Sequence, residues 1–125
     1  RGDFLVRPIV GADPDEGWIA IGEEVRVGQT VRLHVRDEAS ADEDLRSALA
    51  TQSQAFDSGA AGALLFTCNG RGSHMFTLPD HDAIAIEDTL GVPAGGFFCA
   101  GEIGPVGGRN FLHGFTATLA VFPRE

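Results

Sequence analysis

The segment Phe66-Thr67-Cys68-Asn69-Gly70-Arg71-Gly72 sets a thiol, an amide and a guanidinium beside two glycines. Glycine lets backbone N–H groups come close to a bound molecule. The Arg71 guanidinium is a planar fork that matches a carboxylate. No Lys-Ser or Lys-Thr pair follows the glycines, so this is not the phosphate-cradling loop of nucleotide hydrolases. The plainer reading is a tight turn with a structural or exposed arginine. A second segment, Gly101-Glu102-Ile103-Gly104-Pro105-Val106-Gly107-Gly108-Arg109-Asn110, carries a lone carboxylate between glycines and a second guanidinium. If the strands before the two segments are neighbours, Arg71 and Glu102 emerge at one sheet edge. They then either pair directly, as a structural ion pair, or are separated by an amphoteric small molecule. In that second case Arg71 takes its carboxylate and Glu102 its amine. The candidate ligand-binding residues are Cys68, Asn69, Gly70, Arg71, Gly72, Gly101, Glu102 and Arg109.

Other chemistry is weaker. A free cysteine is usually a buried small hydrophobe, and this applies to Cys68 and Cys99. Cys68 is the better reactive candidate, because Arg71 and backbone N–H groups beside it suit a thiolate. A hydrolase needs a positioned base, and His34, His74, His81 and His113 stand at no readable spacing from Cys68 or any serine. Asp80-His81-Asp82 is a dense polar triplet, but its aspartates also suit a helix start. There is no His-Glu-x-x-His, no Cys-x-x-Cys and no calcium loop. No catalytic residue, metal or cofactor is assigned.

The elements that must position these residues follow from hydrophobic patterning. Phe4–Val10 reads as a strand with Pro8 at an edge or bulge. Asp13–Gly17 is a turn and Trp18–Ile21 a second strand. Thr30–Arg36 alternates most cleanly, Val31, Leu33 and Val35 against Arg32, His34 and Arg36, and predicts a third strand. Ser40-Ala41-Asp42-Glu43 has the form of a capping box. The helix after it turns Leu45, Ala48, Leu49, Gln52 and Phe56 inward. Gly62–Cys68 is a continuous apolar run that fits a central strand. A second helix spans His81–Leu90, with Asp80 as cap, Gly91 as stop and Ala83, Ile86 and Leu90 facing inward. Gly96–Ala100 is a strand, Gly101–Gly114 a long loop, and Phe115–Phe122 the last strand. The expected fold class is α+β: one mixed, largely antiparallel six-stranded sheet with two helices on one face. Its other face would carry Arg32, His34, Arg36, Thr116 and Thr118.

Composition narrows the function. The 125 residues suit one domain or half of a larger one. Nine arginines, no lysine and 18 acids give a net charge of −9. No basic stripe is available for phosphates, so a nucleic-acid partner is excluded, and an anionic membrane surface repels the chain. No apolar run reaches the roughly 18 residues of a spanning helix, and no secretory leader opens the chain. Two cysteines are too few for a disulfide framework, which points to a reducing, cytoplasmic setting. The first residue is not Met, which suggests a piece of a longer chain.

Residues 60–122 resemble the C-terminal part of the FIST domain, a sensory module of bacterial signalling proteins and some eukaryotic F-box proteins. The resemblance is carried by FTCNGRG at 66–72, GGFFCAGEIGP at 95–105 and LHGFTATLAVF at 112–122. The first 58 residues fit the family's strands-then-helix layout without a motif. The resemblance implies a non-catalytic domain that senses a small polar metabolite, an amino acid or related compound. It also implies partners: an N-terminal FIST half, absent here, or a signalling output domain. In F-box members the domain looks like a substrate-recognition module, which makes a protein-interaction role the first alternative. It would use the polar sheet face or loop residues such as Phe111 and Leu112. A thiol enzyme or redox switch at Cys68 is the second. On the family pattern Cys68, Gly70, Arg71 and Gly72 match the first motif, and Gly101, Glu102, Gly104 and Pro105 the second.

Overall fold

A computed structural model describes residues 4–125. Strands β1 (Ile9–Asp13) and β2 (Trp18–Ile21) form an antiparallel hairpin. Asp13 closes its turn by accepting the N–H groups of Asp15 and Glu16, as short acidic side chains do in turns. Helix α1 (Glu38–Ser53) follows, then β3 (Ala60–Cys68) and a single 3-10 turn at Asn69–Arg71. Helix α2 (His81–Leu90) leads to β4 (Ala94–Cys99). The chain ends with β5 (Glu102–Val106), β6 (Arg109–His113) and β7 (Ala117–Pro123).

The class is α+β with two helices, but the single six-stranded sheet is replaced by three small ones. The central sheet has the order β4-β3-β7, with β4 parallel and β7 antiparallel to β3. β1-β2 and β5-β6 are separate hairpins. Two readings account for the difference. Thr30–Arg36 belongs to no strand, and Val35 is 88% exposed. Alternation only describes a two-faced ribbon; a strand also needs a neighbour for its backbone groups, and this segment pairs with none among the described residues. Conversely, the loop expected over Gly101–Gly114 folds into β5 and β6. Gly107 and Gly108 join them at φ 57 and 77, the left-handed geometry of a two-residue hairpin turn.

The core lies between the helices and one face of the central sheet. Leu45 and Leu49 of α1 and Ala85 and Ile86 of α2 meet Ala63 and Leu65 of β3, with Val92 closing one end. The inward stripe of α1 is narrower than expected, since Ala48 and Gln52 are exposed and Phe56 lies beyond the helix. Its cap is Asp37 rather than Ser40: Ser40 donates both its N–H and its hydroxyl to the Asp37 carboxylate. α2 occupies the expected residues, and Gly91 ends it in the left-handed region with its N–H on the Glu87 carbonyl. Ala83, however, is exposed, and Asp82 takes the buried position four residues before Ile86.

The other face of the central sheet is apolar, not polar. Register places Leu64, Phe66 and Cys68 of β3 beside Gly95, Phe97 and Cys99 of β4 and Thr118, Ala120 and Phe122 of β7. Of the expected polar residues Thr118 lies there, with Thr116 just past the strand opposite Cys68, whereas Arg32, His34 and Arg36 belong to no strand. Leu64, Phe97 and Phe122 are exposed. Among the described residues no helix is long and apolar enough to cross a membrane.

Candidate functional site

β3 ends by passing directly into the 3-10 turn, which swings Arg71 under the first turn of α2. There its guanidinium binds the Asp82 carboxylate in a two-pronged pair, Nε to Oδ2 and Nη2 to Oδ1, both 2.8 Å. Both side chains are buried, at 7% and 6% exposure. The Thr67 hydroxyl donates to the same Oδ2 at 2.6 Å. His81 Nδ1 lies 3.0 Å from Asp82 Oδ1, and its Nε2 lies 2.9 Å from Asp42 Oδ1 of α1. Asp42 in turn accepts from Arg46 Nε. The His81 ring lies flat on Phe76 at 3.6 Å between centroids. Burial raises the Asp82 pKa, but the hydrogen bonds from Arg71, Thr67 and His81 and the Arg71 charge together outweigh it. The carboxyl is held below its ordinary value.

Glu102 starts β5 and is 1% exposed. Its Oε2 accepts the Thr116 N–H at 3.2 Å and the Thr116 hydroxyl at 2.9 Å, and its Oε1 accepts from Cys99 Sγ at 3.4 Å. Burial first, then the bond to Glu102 and its charge, push the Cys99 thiol pKa up. Cys68 is buried and its sulfur accepts the Gly70 N–H at 3.5 Å.

Two cavities open beside this framework, and the first motif divides between them. One, of about 450 Å³, is bounded by Arg71, Gly72, Thr67, Ser73 and the start of α2 from Asp80 to Ala83. Leu65, Leu78 and the β4 residues Ala94–Phe98 complete it. It runs along the edge strand β4 from its first residue, Ala94, to Phe98, and reaches Leu65 and Thr67 of β3. The other, of about 580 Å³, is bounded by Asn69, Gly70, Arg36, His74, Met75 and Phe115. Gly70 lacks a side chain where Phe115 needs the room: a Cβ there would stand 2.6 Å from the Phe115 ring. Phe115 is itself held at φ 62, and the Arg36 guanidinium covers its ring at 3.5 Å.

The expected site residues are thus only partly together. Arg71 and Glu102 both follow the carboxyl ends of β3 and β4, as neighbouring strands require, but each already holds an internal partner. Arg71 pairs with Asp82, not with Glu102. Cys68, Gly101, Glu102 and Arg109 bound neither cavity. Gly101 faces Leu112, and Arg109 is exposed on β6 near Phe111. Asp82 and His81 were missed as members of the cluster. The available signal was a charge on the apolar stripe of a helix: Asp82 shares the face of Ala85 and Ile86, and a charge there demands a buried partner. Asp80 takes the cap position of α2, but at φ 56 and with no side-chain capping bond. Its exposed carboxylate borders the smaller cavity.

Comparison with known proteins agrees with the resemblance and moves its limits. A family model described as FIST C domain matches residues 1–105. The match includes the N-terminal residues that carry no motif and stops before the closing 112–122 segment. An uncharacterized protein of Mycobacterium tuberculosis is 58% identical over 123 residues, covering 98% of this chain and 32% of that protein. An uncharacterized protein of Mycobacterium bovis is 56% identical over the same shares of each chain. The chain therefore spans about a third of the length of these relatives. No solved structure matches it.

Proposed function

Because this chain belongs to the FIST C domain family, we propose that it is the ligand-recognising part of a larger cytoplasmic signalling protein. It is non-catalytic and binds a small polar metabolite of the amino-acid type. The observation that supports this reading is the cavity of about 450 Å³ beside the Arg71–Asp82 pair. Its size falls within the usual range for small-molecule sites, and its walls mix apolar surface with a few placed polar groups. Two of the five guanidinium N–H donors of Arg71 are committed to Asp82, which leaves three for a carboxylate. The N–H groups of the first turn of α2 have no partner within the helix, and the helix dipole favours the same negative charge. Asp80 replaces Glu102 as the group that meets an amine, since Glu102 is committed to Thr116 and Cys99. Ligand contact with the start of α2 passes through His81 to Asp42, and so to α1, which gives a route to a partner domain.

The test is nitrogen–proton NMR titration of the chain with millimolar pools of amino acids and small carboxylates. Shifts concentrated at 71–73, 80–83 and 95–98 support the reading. Asp80→Asn and Ala83→Phe, both at exposed positions, should abolish those shifts while keeping the spectrum of a folded chain. Shifts confined to the larger cavity, or none from any pool, would sink it. A protein-interaction role is the second reading. The exposed apolar face formed by Leu64, Phe97 and Phe122 favours it, rather than the polar face expected from the sequence.

A further inference from the structure

β3 and β4 finish on a matched pair of thiols. Cys68 and Cys99 are direct partners in the parallel register, so their side chains leave the sheet on the same face. Neighbouring strands lie ~4.8 Å apart, inside the Cα separation of roughly 4.4–6.8 Å that a disulfide spans. Both cysteines are unbridged. Neither borders a cavity, so the pair stands apart from the ligand reading above. We propose that Cys68 and Cys99 form a reversible dithiol–disulfide switch whose oxidation loosens the β5–β6 hairpin from the central sheet.

The oxidant is a low-molecular-weight disulfide. Cys99 is half-buried and Cys68 buried, so the Cys99 sulfur is the one an oxidant reaches. As it attacks one reagent sulfur, its proton passes to Glu102 Oε1, 3.4 Å away. The reagent's S–S bond breaks, and the released sulfur carries off that proton. The Cys68 sulfur then attacks Cys99 in the mixed disulfide, and the second reagent sulfur leaves with the Cys68 proton. Two protein thiols become one disulfide, and one reagent disulfide becomes two thiols. Side chains rising in parallel from adjacent strands do not point at each other. The bridge is therefore strained, and strained bridges are the easily reduced ones.

The hairpin responds because Glu102 depends on the thiol proton. In the reduced state Cys99 occupies one carboxylate oxygen, and Thr116 occupies the other with its N–H and hydroxyl. A disulfide has no proton to donate. Oε1 of a carboxylate at 1% exposure then loses its donor, and a buried charged acceptor without a partner is costly. Opening β5 to water relieves it.

The full chain is equilibrated in glutathione buffers spanning reduced to oxidised ratios, quenched with acid, alkylated and weighed. Both thiols should disappear together with the loss of two hydrogens, leave no glutathione attached, and return on reduction. Amide hydrogen exchange over 102–116 should rise about tenfold or more in the oxidised form alone. Cys99→Ser keeps a donor for Glu102, and its hairpin should stay protected whatever the buffer. Cys99→Ala removes the donor, and should show the faster exchange without oxidant. A stable glutathione adduct on one cysteine, or two free thiols in every buffer, refutes the switch. A disulfide with unchanged exchange in the hairpin refutes its coupling to Glu102.

Discussion

Replacing Arg71 with Met removes the cation from a buried pair and strands the Asp82 carboxylate. Breaking such a pair from one side costs about 3–5 kcal/mol, because the remaining charge has left water without compensation. A 125-residue domain holds roughly 6–19 kcal/mol in total, at about 0.05–0.15 kcal/mol per residue. The variant should therefore fold but lose a large part of its margin. At about 4 °C per kcal/mol, where the ranges for smaller and larger domains meet, the melting temperature falls on the order of 12–20 °C. The double change Arg71→Met with Asp82→Leu should recover part of the loss, since well-packed apolar side chains often replace a buried ion pair at little cost. Recovery stays incomplete while the Thr67 hydroxyl lacks an acceptor, a defect of about 1–3 kcal/mol that adding Thr67→Val should remove. His81 keeps Asp42 in every combination. Urea unfolding of the singles, the double and the triple gives the coupling directly, expected at about 2–3 kcal/mol. Single variants within ~1 kcal/mol of the parent, the usual worth of a solvated surface pair, would refute the buried network. So would a double variant as unstable as the sum of its parts.

Two further outcomes follow from the same geometry. The Asp82 carboxyl is held below its ordinary value on folding, so its contribution to stability is fully present above about pH 3.9 and is lost as pH falls through its lowered value. Urea midpoints should thus drop more steeply below about pH 4 in the parent than in Asp82→Asn; parallel profiles would show that Asp82 is not linked to folding. Gly70→Ala places a methyl 2.6 Å from the Phe115 ring, and overpacking of this kind costs about 1–3 kcal/mol. Phe115→Leu in the same background should return part of that loss, and a Gly70→Ala variant of parental stability would mean that the ring does not rest on residue 70.

Local pattern was enough for α2, β2, β3 and β4, whose apolar spacing and end signals lie within a few residues of each element. The same pattern set Arg71 and Glu102 just past two strands, and the β3–β4 pairing then made those strands neighbours. It failed where an element depends on a partner far along the chain. Val31, Leu33 and Val35 alternate as a strand does, yet among the described residues no strand pairs with them. Gly107-Gly108 was a readable hairpin turn, but flanking runs with Gly104 and Pro105 look too broken for strands until β5 and β6 pair.

The amino-acid order by itself determined α2, the apolar strands β3 and β4, and that a guanidinium, two thiols and a carboxylate stand at or just past strand ends. Tertiary structure alone decided who partners whom. Arg71 met Asp82 because the 3-10 turn and the start of α2 bring them within 2.8 Å, and Glu102 met Cys99 and Thr116 because β5 begins beneath them. The physical reason is range: propensity and periodicity act over one or two turns, whereas a buried charge takes whichever opposite group the packed chain delivers to it.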